Sequence, residues 1–142
     1  MNLDELGTSE VYELISALKL FLNHPTLSIP TLGKYQKENV VSDTKNNIEY
    51  KLKIYRGNLN IKYSIHIRFI DTNKHLVRLC INGSRHHNNN GTCVSPNHIH
   101  IYNFHDNYIE DKAYELDKVP FDKKDELATA FDKFLDFLNI KK

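Results

Sequence analysis

Two runs of strict alternation constrain this chain more than any other feature. Ile48, Tyr50, Leu52 and Ile54 alternate with Glu49, Lys51, Lys53 and Tyr55, and the pattern resumes after Arg56-Gly57-Asn58. Leu59, Ile61, Tyr63, Ile65, Ile67 and Phe69 then alternate with Asn60, Lys62, Ser64, His66 and Arg68. Successive side chains of a strand point to opposite faces, so a period of two on both sides of a turn predicts an antiparallel hairpin with one apolar and one polar face. Asp71-Thr72-Asn73 predicts the next turn. A third strand should carry Val77, Leu79 and Ile81 on one face and Leu76, Arg78 and Cys80 on the other. His98 to Phe104 supplies a fourth, with His98, His100 and Tyr102 on one side and Ile99 and Ile101 on the other. His75 falls on the apolar side of the alternation and reads as a strand-end residue, His66 as a solvated one.

An apolar sheet face needs a cover, and the two ends of the chain offer one. Gly7-Thr8-Ser9 before Glu10 and Glu13 reads as a helix start with hydroxyl capping. Val11, Leu14, Ile15, Leu18, Phe21 and Leu22 follow helical spacing, so this helix is expected to run to about Asn23. Pro25 ends it there, with His24 at its exit. Thr26 to Asn47 is punctuated by Pro30 and Gly33 and is largely polar after Lys34, which predicts a short edge strand and a loop. Beyond the sheet, a short edge strand near Ala113 to Leu116 and a boundary at Pro120 lead to a last helix. Asp122 is its expected N-cap, and Leu127, Phe131, Phe134, Leu135 and Leu138 its buried side. The expectation is a single domain over residues 1–142 of the α+β class. It has two layers: an antiparallel sheet of about four to six strands, with the N- and C-terminal helices packed on one face.

No apolar run approaches the roughly 20 residues of a membrane-spanning helix, and the acidic MNLDELGTSE carries no charged-then-apolar leader. With only Cys80 and Cys93 present, a disulfide framework is not expected. A cytoplasmic protein without a membrane partner is expected, its oligomeric state left open. The near-neutral net charge hides an asymmetry. Between Lys51 and His105 the basic residues are Lys51, Lys53, Arg56, Lys62, Arg68, Lys74, Arg78 and Arg85, against one acid, Asp71. A basic middle between acidic ends points to RNA or another anionic partner. The plainer account is a solvated sheet whose charges pair with acidic helices.

The stretch from His75 to His105 holds six of the eight histidines and both cysteines. A His-x-His pair on one strand face, joined by His86, His87 or Cys93, can make a zinc site. Its spacing fits no structural zinc motif, however, and the acid-poor middle offers no carboxylate, so neither a metal nor another cofactor is expected. Histidine also suits metal-independent RNA cleavage, where one group takes the 2′-OH proton and another protonates the leaving 5′ oxygen. On that reading His86, His98 and His100 are the catalytic imidazoles and Arg78 the phosphate clamp. Lys51, Lys53, Lys62, Arg68, Arg85, His87 and Tyr102 then form the nucleic-acid-binding surface. The structural alternative is that histidines and asparagines merely tie a long loop to the sheet, with Cys80 and Cys93 as small fillers.

Three short patterns carry a resemblance. Arg78-Leu79-Cys80-Ile81-Asn82-Gly83, then His86, Asn88 and Gly91, then Pro96-Asn97-His98-Ile99-His100-Ile101-Tyr102 resemble an uncharacterised family of small bacterial and phage proteins. That family reads R-L-D-I-N-G, H-x-N-P-D-G and P-H-L-H-I-Y. More distantly the arrangement is similar to TumE-type toxins of toxin–antitoxin pairs, small α+β proteins related to RelE-like ribonucleases. The resemblance implies an RNA-directed toxin encoded on mobile DNA, with a cognate antitoxin as partner. The departures are Cys80 and Asn90 where the patterns have Asp, and Asn97 inserted before His98. If the first Asp orients a catalytic group, its loss favours a binder. The alternatives are therefore a non-enzymatic phage or mobile-element inhibitor of a host defence protein, and a histidine-rich metal-binding protein.

Overall fold

The computed structural model describes residues 1–25 and 27–142; Thr26, where the polar punctuated stretch begins, lies outside the described residues. The fold is α+β, with helices α1 (Thr8–Ser16) and α2 (Leu127–Phe137). The strands are β1 (Lys19–Phe21), β2 (Tyr35–Asp43), β3 (Ile48–Arg56), β4 (Tyr63–Phe69), β5 (His75–Ile81), β6 (His86–His87), β7 (Cys93–Val94), β8 (His98–Ile101), β9 (Asn103–His105), β10 (Tyr108–Glu110), β11 (Ala113–Glu115) and β12 (Ile140–Lys141). Eight of them make one sheet in the order β11-β8-β5-β4-β3-β2-β1-β12. Its pairings are antiparallel except for the parallel pair β1–β12. The ribbons β6–β7 and β9–β10 stand outside it. No helix among the described residues is long and apolar enough to cross a membrane.

The alternating residues do what their period requires. Tyr50, Leu52, Ile54, Ile65, Ile67, Phe69, Leu79 and Ile99 are buried, and they share one cluster with Val11, Leu14, Phe131 and Phe134 of the helices. Both helices therefore cover the same sheet face.

The sheet has more strands than the four to six expected, because β1 and β12 add a parallel edge, and its expected edge strand is longer than read. Tyr35–Asp43, read as mostly loop, is a nine-residue strand inside the sheet, paired with β3 along its whole length. Gln36, Glu38 and Ser42 lie on the face away from the helices, while Lys37, Asn39 and the buried Asp43 share the face of Ile54, Leu52 and Ile48, so apolar alternation does not mark this strand. The first helix is also shorter than its stripe implied. Ala17 leaves the helix in an extended conformation, and residues Lys19–Phe21 are a strand. Leu18 and Leu22 are exposed and His24 lies in the segment beyond, far from any helix exit.

A buried cation explains the break. The Lys19 ammonium, fully enclosed, donates to the carbonyls of Ile15 (3.1 Å), Ala17 (2.9 Å) and Leu138 (2.7 Å). It thus satisfies carbonyl ends of both helices, which otherwise lack partners. Burial lowers its pKa to about 8, against the pull of Asp43. Arg56, read as a turn residue, is likewise buried at the end of β3, where it donates to the carbonyls of Pro30, Thr31 and Gly33.

Three further expectations are corrected. Leu59 and Ile61 are exposed in the connection between β3 and β4, so the second arm begins only at Tyr63. The N-cap of α1 is Gly7, whose N–H donates to Glu10 Oε1 at 3.1 Å in place of a hydroxyl cap. Helix α2 starts after Glu126, and Asp122 and Asp125 form a turn ahead of it.

Replacing Lys19 with Met should destabilise the fold by roughly 2–4 kcal/mol, because three carbonyls lose their donor. The folded pKa of about 8 lies below the 10.5 of a free lysine. Between those values the unfolded chain binds the extra proton, so stability rises with pH across that window. Urea midpoints of wild type and Lys19→Met should therefore diverge further above pH 8.

Candidate functional site

Cross-strand register assembles the site. Lys53, His66, Arg78 and His100 are successive partners across β3, β4, β5 and β8. Tyr55, Ser64, Cys80 and His98 form the parallel row beside them. Adjacent strands lie about 4.8 Å apart, so these side chains meet on the face away from the helices. A bulge adds one more imidazole. Ile67 pairs with Val77 but Arg68 pairs with His75, leaving Leu76 as the extra residue. Leu76 and Val77 are both buried, and His75 is thrown onto the polar face, 4.5 Å ring to ring from His66. His75 is thus not on the apolar side, and His66 is half-buried rather than solvated.

The same bulge removes Tyr102 from the expected surface. Its N–H bonds to the carbonyl of Leu76, alternation is lost after Ile101, and the ring packs edge-on against Phe69. Its hydroxyl donates to Leu3 O at 2.7 Å and accepts from Leu6 N at 3.3 Å. Tyr102 is a core residue that anchors the N-terminal segment.

The loop that brings His86 is held at its base and its tip. Asn82 N donates to Asn97 Oδ1 (2.8 Å) and Gly83 N to Pro96 O (3.0 Å). Asn88, buried, bonds to both the N–H and the carbonyl of Ala113 at 2.9 Å, acting as a strand partner for the edge of β11. The β6–β7 ribbon then presents His86 to the sheet, with its ring 4.9 Å from His100 and 6.1 Å from His98. The reading of asparagines as loop ties holds for Asn88 and Asn97.

His66, His75, His86, His98 and His100 line one cleft of about 350 Å³ together with Arg78, Arg85, Cys80, Ser64 and Ser84. All four residues read as catalytic are gathered there. Of the expected binding residues, Arg85 lines the cleft, while Lys62 is exposed in the β3–β4 connection and His87 is exposed outside the cleft wall. Lys51 and Arg68 both pair with Glu38 of β2, at 3.5 and 3.3 Å. The polar face is therefore less poor in acids than a loop at residues 34–47 implied.

The acid that matters most is Asp111, which sequence reasoning passed over. Asp106 and Asn107 both have positive φ, as a two-residue hairpin turn demands, and return the chain so that β11 pairs with β8. That places an Asp111 carboxylate oxygen 3.1 Å from His100 Nδ1 and the other 3.1 Å from the Arg78 guanidinium. The Asp106-Asn107 pair was the sequence signal for this return. Cys80, read as filler, sits directly opposite His98.

Electrostatics divide the imidazoles into two kinds. Burial works against a proton on His100, but its hydrogen bonds with Asp111 and Cys80 outweigh this and lift it to about 9. Burial pushes the Cys80 thiol up, yet hydrogen bonds from His100 and His98 bring it down to about 6. Burial also opposes the Asp111 charge, which His100 and Arg78 restore, holding the carboxyl at about 2. His66 falls to about 3, first by burial and then by repulsion from His75, and His75 to about 4 by burial and Arg78. Arg78 lies 3.1 Å from His100 Nε2 and can only donate. That contact requires a bare Nε2, whereas the contact of the same guanidinium nitrogen with Asp111 at 3.1 Å is open to it in either protonation state of His100. His98 Nδ1 lies 2.6 Å from the Ser95 carbonyl, which in the neutral ring puts the lone pair on Nε2.

Among the described residues, two groups of side chains can hold a metal ion: Cys80, His98 and His100, and His86, His100 and Asp111. Each residue places one ligand atom within 4.8 Å of the others. The expectation that no carboxylate reaches the cluster is corrected by Asp111, which comes from outside the acid-poor middle.

Asn88→Ala should cost about 1–3 kcal/mol, since it strands the buried N–H and carbonyl of Ala113. Hydrogen exchange should then quicken at His86 and Val94, the bonded pair of the ribbon, while Ile65 and Leu79 stay protected.

No curated protein and no solved structure matches the chain. One family does: the family described as "Family of unknown function (DUF6978)" matches residues 6–140, and the chain belongs to it.

Proposed function

We propose that the cleft takes an RNA phosphodiester and cleaves it by histidine acid–base chemistry that needs no metal, as in an RNA-directed toxin. One observation carries this reading: among the described residues, five imidazoles and two arginines line the cleft, and no carboxylate does. Asp111, half-exposed at the edge of the cleft, pairs with His100 and Arg78 and so orients both. If the aspartate that the resembled patterns carry at the place of Cys80 orients a catalytic group, Asp111 supplies that role here through His100 and Arg78.

The roles follow from the hydrogen bonds. His98, with Nδ1 held by Ser95, offers Nε2 as the base that takes the 2′-OH proton. The freed 2′ oxygen attacks phosphorus, and the bond to the 5′ oxygen breaks. His100, kept protonated by Asp111, gives its proton to that leaving oxygen, so the products are a 2′,3′-cyclic phosphate and a 5′-hydroxyl. Arg78 and Arg85 stabilise the charge on the phosphoryl oxygens. His86, on the loop ribbon, closes the third side.

Induced expression in a bacterial host should arrest growth and degrade RNA, whereas His98→Ala/His100→Ala should do neither. With purified protein and single-stranded RNA in chelator, each single substitution should lower cleavage by about 100-fold or more. Equal RNA loss with the double variant would end this reading. A stoichiometric complex with a host protein, with no RNA cleavage, would replace it with the blocking-protein alternative.

A further inference from the structure

We propose that Cys80, His98 and His100 form a binding site for a thiophilic divalent ion of the zinc type, with His86 as fourth ligand. One thiolate with imidazoles is a ligand set suited to zinc, which prefers four tetrahedral N and S donors. Bond lengths of about 2.0–2.3 Å place neighbouring donors of such a site roughly 3.3–3.8 Å apart. The donor atoms of Cys80, His98 and His100 already lie within 4.8 Å of one another. Closing the remainder needs side-chain rotation only, because the backbone is set by ladder pairing: Cys80 is directly opposite His98, and His100 is the next residue on that face of β8.

The surroundings match what orients metal-binding histidines. Each ring has its Nδ1 engaged, His98 by the Ser95 carbonyl at 2.6 Å and His100 by Asp111 at 3.1 Å, so each presents Nε2. Both rings are only 3% exposed, which keeps the donors dry. His86 stands edge-on to His100, half-buried on the β6–β7 ribbon, and one of its nitrogens lies within 4.8 Å of a His100 nitrogen. Arg78 must leave His100 Nε2 for the ion to enter, and its contact with Asp111 gives it somewhere to go. The Cys80 thiolate and the Asp111 carboxylate offset the added charge.

The site rests on this geometry and not on the RNA-cleavage reading. Only its consequence rests on that reading: an ion on His98 Nε2 and His100 Nε2 leaves no acid–base pair, so occupancy would switch cleavage off.

Titration of the full chain, purified without a histidine tag, with Co²⁺ alone should give one equivalent of binding with a thiolate-to-cobalt charge-transfer band, displaced by Zn²⁺. Cys80→Ser should abolish the band, Cys93→Ser should keep it, and His86→Ala should weaken binding by roughly 10–100-fold. On the wild type, Zn²⁺ should protect Cys80 but not Cys93 from alkylation, read by peptide mass, so the outcome does not depend on a variant's folding. A missing thiolate band, a band that follows Cys93, or unprotected Cys80 in saturating Zn²⁺ would overturn the proposal. RNA cleavage is assayed separately, so loss of either conclusion leaves the other identifiable.

Discussion

The pairing of β5 with β8 is the constraint on which the site depends. Four ladder partners, Val77–Ile101, Arg78–His100, Leu79–Ile99 and Cys80–His98, set which side chains meet on each face. A slip of one residue would carry every imidazole of β8 into the core and every isoleucine out. Burial of Leu79 and Ile99 against the helices therefore holds Arg78, Cys80, His98 and His100 together on the other face. The apolar side of the sheet enforces the geometry of the polar side.

Enclosed cations complete the frame. A helix end leaves carbonyls without partners, and a buried one needs donors from elsewhere. Lys19 serves the ends of α1 and α2 at once, which brings β1 beside β12 and closes the sheet with a parallel edge. Arg56 does the same for the irregular segment at residues 30–33. In each case a charged side chain removes an orphaned-backbone problem that apolar packing cannot address, and burial of the charge is the cost, visible in the lowered pKa of Lys19.

Charge crowding gives the cleft its character. Burial first, then the neighbouring positive groups, drives His66 and His75 toward neutrality, while hydrogen bonds with Asp111 and Cys80 let His100 keep its charge. The result is a protonated His100 beside neutral His66 and His75. Such a set can serve an anion through its positive charges or a soft cation through its lone pairs, and the choice depends on where Arg78 sits.

Much of this was legible in the chain. Period-two alternation specified β3, most of β4, and β5 and β8 with their buried faces, because burial on one side leaves a regular trace in composition. His86, His98, His100 and Arg78 were found by the same alternation and the flanking loop residues. The misreadings share a different cause. The length of α1, the strand at Tyr35–Asp43, the inward turn of Tyr102 and the outward turn of His75 depend on partners remote in sequence. They follow from Lys19 meeting Leu138, from β3 accepting a polar neighbour, and from one extra residue at Leu76. Asp111 belongs with them, since no local pattern marks a carboxylate that becomes relevant only when a hairpin returns it to His100. Sequence by itself determined the α+β class, the two-faced sheet and three of the five clustered imidazoles, His86, His98 and His100, because hydrophobic periodicity is a local property. Tertiary structure alone decided which strands are neighbours, where the bulge falls and which acid stands behind which histidine, because ladder pairing and the burial of backbone ends are settled between distant segments.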